Sequence, residues 1–175
     1  MLARLIDLLF DFIELFQVFF YVDQFEQAVV LRAGKYSRTA GPGPHWLAPL
    51  GIERVIAVNT KPEPLYLDTQ TSTTKDGYIV TFQVAVVYAV TDARVHLIEW
   101  EQAEVIVGVL AGGIMRQSIA DHTWVQIHSE NFLPNCHQHI RQACKKLGVS
   151  VWRLDLLDMA SGSADRLWVE GVDLG

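Results

Sequence analysis

The chain has 175 residues and a formal net charge of −6. This length allows one ordinary hydrophobic core or two small ones, and the acidic balance excludes the basic surface typical of nucleic-acid-binding proteins. The two cysteines, Cys136 and Cys144, lie on one predicted helix with Cα atoms roughly 12 Å apart, too far for a disulfide. We therefore expect reduced thiols, which favour a domain on the cytoplasmic side of a membrane.

The first 22 residues are the most hydrophobic stretch, since 17 of them are apolar. As a helix they are roughly 33 Å long, which matches the hydrocarbon thickness of a bilayer. We predict that residues 1–22 form a membrane-embedded helix, spanning or deeply inserted; the alternative is a core helix of a soluble domain. The side chains predicted to contact lipid are Leu2, Leu5, Ile6, Leu8, Leu9, Phe10, Phe12, Ile13, Leu15, Phe16, Phe19 and Phe20.

Four charged residues interrupt this stretch: Arg4, Asp7, Asp11 and Glu14. Their spacing of three, four and three residues places them in one narrow stripe along a helix. Each acid costs roughly 2.5–3.5 kcal/mol at the middle of a bilayer. We therefore expect the stripe to face other copies of the chain or a watery lumen, and we predict a homo-oligomer that also contacts membrane lipids.

After this segment, β-branched and aromatic residues predict a sheet. The turn signals Ala33-Gly34 and Asp76-Gly77 are short, which favours antiparallel pairing. Glycines and prolines between Gly41 and Pro44 predict a fixed irregular turn. The predicted strands are residues 27–32, 53–59, 65–72 and 78–90.

The pattern changes at Asp92, a predicted N-cap for a short helix over residues 93–98. Two longer helices are predicted over residues 102–120 and from about Pro134 to Lys146. Thr123 is predicted to cap a single turn between them.

Three further glycines and the last strand complete the predicted elements. Gly112-Gly113 inside a helix costs about 1 kcal/mol per glycine relative to alanine, which indicates a close contact or a kink. Gly148 is the predicted end of the last helix. A final strand over residues 149–157 is predicted to alternate strictly, with Trp152, Leu154 and Leu156 on one face. Together these elements predict an α+β fold.

Several short motifs occur in an order that resembles the SPFH family, also called band 7 or PHB, of stomatins, prohibitins and flotillins. The motifs are Glu26-Gln27-Ala28-Val29-Val30-Leu31-Arg32-Ala33-Gly34-Lys35, Gly41-Pro42-Gly43-Pro44-His45, Thr74-Lys75-Asp76-Gly77, Val87-Tyr88-Ala89-Val90-Thr91-Asp92 and Leu147-Gly148-Val149-Ser150-Val151. The resemblance covers roughly four-fifths of the chain. It implies a membrane helix over residues 1–22 and an SPFH domain over residues 23–158. That domain would have a mostly antiparallel β-rich half (23–90) and a helix-bearing α/β half (91–158).

The resemblance also implies a function. Such domains associate side by side on membranes and act as scaffolds that organise a membrane region. The alternative is an adaptor that regulates a membrane protease or another membrane enzyme, as some members do. In the half of the family's domain that faces the membrane, Trp46, Leu47 and Leu50 form a predicted membrane-dipping loop, because an indole is favoured at the interface. Burial of Trp46 is the alternative, and most of the other tryptophans are predicted to be core residues.

Most relatives continue into a coiled coil, whereas residues 159–175 show no heptads. This tail carries one apolar cluster, Leu167, Trp168 and Val169. We expect it to fold back on its own domain or to be a loose chain end, and docking on a neighbouring subunit in place of the coil is the alternative.

We find no catalytic, cofactor or metal motif, so an enzyme is not predicted and a hydrolase ranks last. Cys136, His137 and His139, with His128 nearby, are candidate metal ligands. On one helix, however, positions 136, 137 and 139 point in different directions, unlike the i,i+4 pairs that share a metal. His45 is expected to bond nearby backbone rather than to act as a base.

Overall fold

The computed structural model describes residues 19–49, 51–100 and 102–162. The predictions made for residues 1–18, for Leu50 and for Leu167, Trp168 and Val169 lie outside these residues. The strands are β1 Phe19–Val22, β2 Glu26–Arg32, β3 Lys35–Ala40, β4 Gly43–Trp46, β5 Glu53–Asn59, β6 Glu63–Tyr66, β7 Gln70–Thr73, β8 Ile79–Val90 and β9 Val149–Gly162. The helices are α1 Ala103–Asp121, α2 Trp124–Ile127 and α3 Phe132–Cys144.

The first half contains two small antiparallel sheets. β2 lies between β3 and β5, and its central residues Ala28, Val29 and Val30 are fully buried. The hairpin between β2 and β3 turns at Ala33 and Gly34, whose φ angles of 48° and 79° fit a tight hairpin turn. The turn predicted at Ala33-Gly34 and the strands predicted over residues 27–32 and 53–59 are therefore confirmed, whereas strand β3 was not predicted.

The second small sheet corrects two predictions. Residues 19–22 form β1, so the predicted helix does not extend through Phe19 and Phe20. Residues 43–46 form β4 rather than an irregular turn, and the two strands pair along their length, from Phe19 with Trp46 to Val22 with Gly43. The aromatic and β-branched sequence of β1 suits a strand. Pro44 is tolerated because β4 has no second neighbour among the described strands.

A larger sheet is built around β8, and all of its pairs are antiparallel. β6 and β7 pair with opposite halves of one edge of β8, and β9 pairs with the other edge. The prediction of a single strand over residues 65–72 is wrong. Two strands, β6 and β7, form there instead, because Leu67 turns into the core while its N–H still donates to the Val84 carbonyl.

Helices α1 and α3 cover one face of this sheet. By length and composition α1 could cross a membrane, with a mean hydropathy of 1.3. Its residues Val107, Met115 and Ile119 instead lie in the hydrophobic core of the domain. The predicted close contact at Gly112 is with strand β7, because a Cβ there would lie 2.5–3.0 Å from the Gln70 side chain.

The predicted helix caps are confirmed. The Asp92 carboxylate accepts the N–H groups of Arg94 and Val95 before a short π-helical turn, Val95–Glu99. Thr123 forms a capping box with Gln126 at the start of α2. Gly148, with φ of +70°, ends the 3₁₀ turn that follows α3.

Strand β9 is longer than predicted and does not alternate strictly. Trp152 and Leu157 have no partner on β8 and form two β-bulges. Each bulge shifts the side-chain pattern by one residue. As a result Leu154 and Leu156 pack against the same core that contains Val149 and Val151, instead of lying on the opposite face.

Candidate functional site

Strands β1 and β4 present three exposed aromatic side chains. Phe19, Tyr21 and Trp46 are 51%, 78% and 66% exposed, and we call them the aromatic surface. Alternation along β1 turns Val22 inward, where it packs with the buried residue Ala28, while Phe19 and Tyr21 point outward. The Phe19 and Trp46 rings lie with centroids 3.9 Å apart. Large rings exposed together on one face indicate an interaction surface.

The buried carboxylate of Glu53 holds this surface in place. The Glu53 side chain is 1% exposed and pairs with two arginines: Arg32 approaches within 2.9 Å and Arg38 within 3.0 Å. Glu53 also accepts the Ala48 backbone N–H at 3.0 Å. Arg38 in turn donates to the Trp46 carbonyl. The segment that follows β4 is thus tied at both Trp46 and Ala48 to the sheet formed by β2, β3 and β5.

These contacts determine the ionisation of Glu53. Hydrogen bonds from Arg38 and from the Ala48 N–H lower the pKa of this carboxyl from 4.5 to about 2, although burial opposes the shift. The carboxylate therefore stays charged at any physiological pH, and both arginines keep their partner. Sequence reasoning missed this group, because its two arginine partners lie 15 and 21 residues away along the chain.

The predicted membrane-dipping loop is described in part. Trp46 is exposed and Leu47 is half-buried, while Leu50 lies outside the described residues. The prediction that most other tryptophans are core residues is wrong for Trp152 and Trp100, which are 64% and 39% exposed. His45 bonds the Gly41 carbonyl through Nε2 at 2.6 Å, which confirms the backbone role expected for it.

The candidate metal ligands do not converge. Cys136 is buried in the core, His137 is half-buried with Nε2 3.4 Å from the Val151 carbonyl oxygen, and His139 is exposed. His128 bonds the Trp124 carbonyl. Across residues 19–49, 51–100 and 102–162, no group of three potential ligands is close enough to hold a metal ion.

The two cysteines are free and buried, as the spacing predicts. Burial raises the pKa of the Cys136 thiol and raises the pKa of Cys144 to about 11. Both thiols are therefore neutral at physiological pH, whereas a metal ligand or a nucleophile must be a thiolate.

Comparison with known protein families decides the classification. The family model described as "SPFH domain / Band 7 family" matches residues 20–160. The chain belongs to the SPFH family. The match begins inside β1 and ends inside β9, so it spans the three sheets and all the helices described above.

Two relatives of this chain carry the same name. The chain is 28% identical over 131 residues to Protein HflK of Vibrio cholerae serotype O1 (strain ATCC 39315 / El Tor Inaba N16961). It is 29% identical over 132 residues to Protein HflK of Vibrio parahaemolyticus serotype O3:K6 (strain RIMD 2210633). Each alignment covers 75% of this chain and 32% of the relative. The chain thus spans about a third of the length of the curated relatives it matches.

Proposed function

We propose that this SPFH-domain chain is a membrane-bound, non-enzymatic scaffold subunit that self-assembles and organises a membrane region. In this proposal residues 1–18 provide a hydrophobic anchor with its polar stripe turned toward other copies. The aromatic surface rests in the headgroup layer beside the anchor. Membership in the SPFH family and the similarity to two HflK proteins support a membrane scaffold or a regulator of a membrane enzyme.

The observation that carries the proposal is the position of the Phe19–Trp46 pair. Phe19 directly follows residues 1–18, the anchor of this proposal, so the pair lies where the chain would leave the bilayer. Aromatic rings are enriched at this depth because one part of the ring is apolar and another tolerates water. Tyr21 lies on the same face of β1 as Phe19, and its ring carries a polar hydroxyl.

Tryptophan fluorescence tests the membrane contact. Full-length protein in liposomes whose lipids carry bromine near the headgroups should show quenching of part of its tryptophan emission. Trp46→Phe should remove most of this quenching, because Trp46 is the ring placed at headgroup level. Emission of each variant is compared in brominated and in ordinary lipid.

The control is Trp100→Phe, since Trp100 is 39% exposed but lies just before α1 rather than on β1 or β4. The quenched component should persist in that variant. Equal loss of quenching in both variants, or none in either, would contradict a headgroup position for the aromatic surface.

An adaptor for a membrane protease is the alternative that family membership implies. The two functions differ in the mass of the particle extracted with mild detergent. A scaffold should elute as a large homo-oligomer, whose mass is measured by light scattering after subtraction of bound detergent. A small oligomer that co-purifies with a second membrane protein would instead favour the adaptor and contradict self-assembly.

A further inference from the structure

Two exposed surfaces lie on opposite edges of the larger sheet. β8 is central, with β6 on one edge and β9 on the other. β6 pairs with β8 residues 85–88, and the first residues of β9 pair with residues 87–90. Strands β6 and β9 therefore flank the same half of β8, and two inter-strand spacings, about 10 Å, separate them.

The first surface is basic and we call it the basic edge: Arg141 on the last turn of α3, Lys145 on the 3₁₀ turn that follows α3, and Trp152 on β9. The bulge at Trp152 turns its ring outward, so that it is 64% exposed. Arg141 and Trp152 line a shallow groove of about 380 Å³. Within the described residues, the ion pairs involve neither Arg141 nor Lys145.

The second surface is acidic and we call it the acidic edge. Asp68 and Glu104 lie at a groove of about 310 Å³ between β6 and α1. Its apolar walls include Val105 and Val109, which are 57% and 65% exposed, and Tyr66 at the end of β6. Neither acid takes part in an ion pair within the part of the chain that the structure describes.

We propose that the basic edge of one copy docks on the acidic edge of the next. Trp152 occupies the groove between β6 and α1, and Arg141 and Lys145 face Glu104 and Asp68. This inference rests on the self-assembly proposed above and specifies its contact. Because the two edges differ, the contact is heterologous and orders the copies head to tail.

Three observations favour a second copy as the occupant. The complementary charges are carried by one chain and lie at opposite edges of its larger sheet. A chain with a net charge of −6 repels its own copies at long range, so close contact requires local pairing of opposite charge. Pro64 on β6 and the bulges on β9 disfavour the addition of a further strand at either edge. Side chains must therefore form the contact.

Charge reversal tests the contact in the full-length protein in detergent. Arg141→Glu with Lys145→Glu makes both edges acidic, and Asp68→Lys with Glu104→Lys makes both edges basic. Either double variant alone should lose the large particle. An equimolar mixture of the two should restore it, because each acidic edge then meets a basic one. Trp152→Ala should weaken association roughly 30-fold, as expected for a central tryptophan.

The control is Lys35→Glu with Lys75→Glu, which changes net charge as much as the basic-edge variant. Lys35 is the exposed first residue of β3, and Lys75 lies on the exposed turn between β7 and β8. Its particle mass should equal that of the unmodified protein, and thermal melting should show that all variants fold. A particle that resists both reversals, or a mixture that does not reassemble, overturns the head-to-tail contact while self-assembly stands. An unmodified chain that is monomeric overturns self-assembly itself.

Discussion

Replacing Glu53 with glutamine should loosen the support of the aromatic surface and lower the stability of the domain at neutral pH. The amide keeps the size of the side chain but removes the charge that Arg32 and Arg38 share. It can still accept the Ala48 N–H, so the loss reports mainly on the paired charges. We expect a clear fall in the urea midpoint and faster amide exchange at residues 46–49.

The pH dependence gives the sharper test. The pKa of Glu53 is lowered from 4.5 to about 2, so its contribution to folding is complete above about pH 4.5. It is lost as the pH falls from about 4.5 through about 2, where the folded protein also takes up the proton. Urea midpoints of the unmodified protein and of Glu53→Gln should therefore differ constantly from pH 7 to pH 5. They should then converge toward pH 2.

Glu130→Gln is the control, because Glu130 is exposed and makes no hydrogen bond or ion pair among the described residues. The same chemical change there should leave the urea midpoint nearly unaltered. Equal effects at the two positions would show that the arginine pairs contribute nothing. A difference that persists unchanged at pH 2 would show that the effect of Glu53→Gln is not electrostatic.

Local signals in the sequence predicted much of the larger sheet and of the helices that cover it. The hairpin at Asp76-Gly77, the Thr123 cap and the Gly148 helix end depend on residues a few positions apart, and each was recognisable from side-chain chemistry alone. The division between β6 and β7 could not be predicted in this way, because it depends on Leu67 reaching a core assembled from distant helices.

The candidate site was predictable only in part. Trp46 stood out as an indole in a loop rich in glycine and proline, but the ladder that places it beside Phe19 joins residues 27 positions apart. The aromatic residues at the end of the apolar N-terminal stretch have the same hydrophobic character as the residues before them. The sequence therefore predicted that the helix continues through residues 19–22, and the strand there was missed. The two bulges of β9 also could not be predicted, since no glycine or proline lies at either position.

Gly148→Ala should be among the most damaging single-methyl additions to this domain. The residue has a φ of +70°, and an L-residue in the left-handed region is strained by roughly 1–2 kcal/mol. A Cβ there would lie 2.6 Å from the Asp92 carbonyl oxygen and 3.0 Å from the Val95 Cβ. The carbonyl of Asp92 accepts the His96 N–H, and the carbonyl of Gly148 accepts those of Thr91 and Asp92. Neither backbone segment can withdraw without losing hydrogen bonds.

We expect a total loss of about 3 kcal/mol or more, from strain, the Cβ overlap and weakened hydrogen bonds, equivalent to a fall of roughly 6–12 °C in melting temperature for a domain of this size. Gly113→Ala is the control. It adds the same methyl group inside α1, where nothing lies within 4 Å, and it should be neutral or stabilising by up to about 1 kcal/mol. Calorimetric melting of both variants measures the difference.

Gly148→Asn separates the two causes of the loss, because asparagine tolerates the left-handed region better than alanine but still carries a Cβ. If strain dominates, Asn should recover much of the stability; if the overlap with Asp92 dominates, Asn and Ala should melt alike. An alanine variant as stable as the original would show that this turn can move. The start of β9 would then not be held beside Arg141 and Lys145, and the basic edge would lose the fixed position of Trp152 on which head-to-tail docking depends.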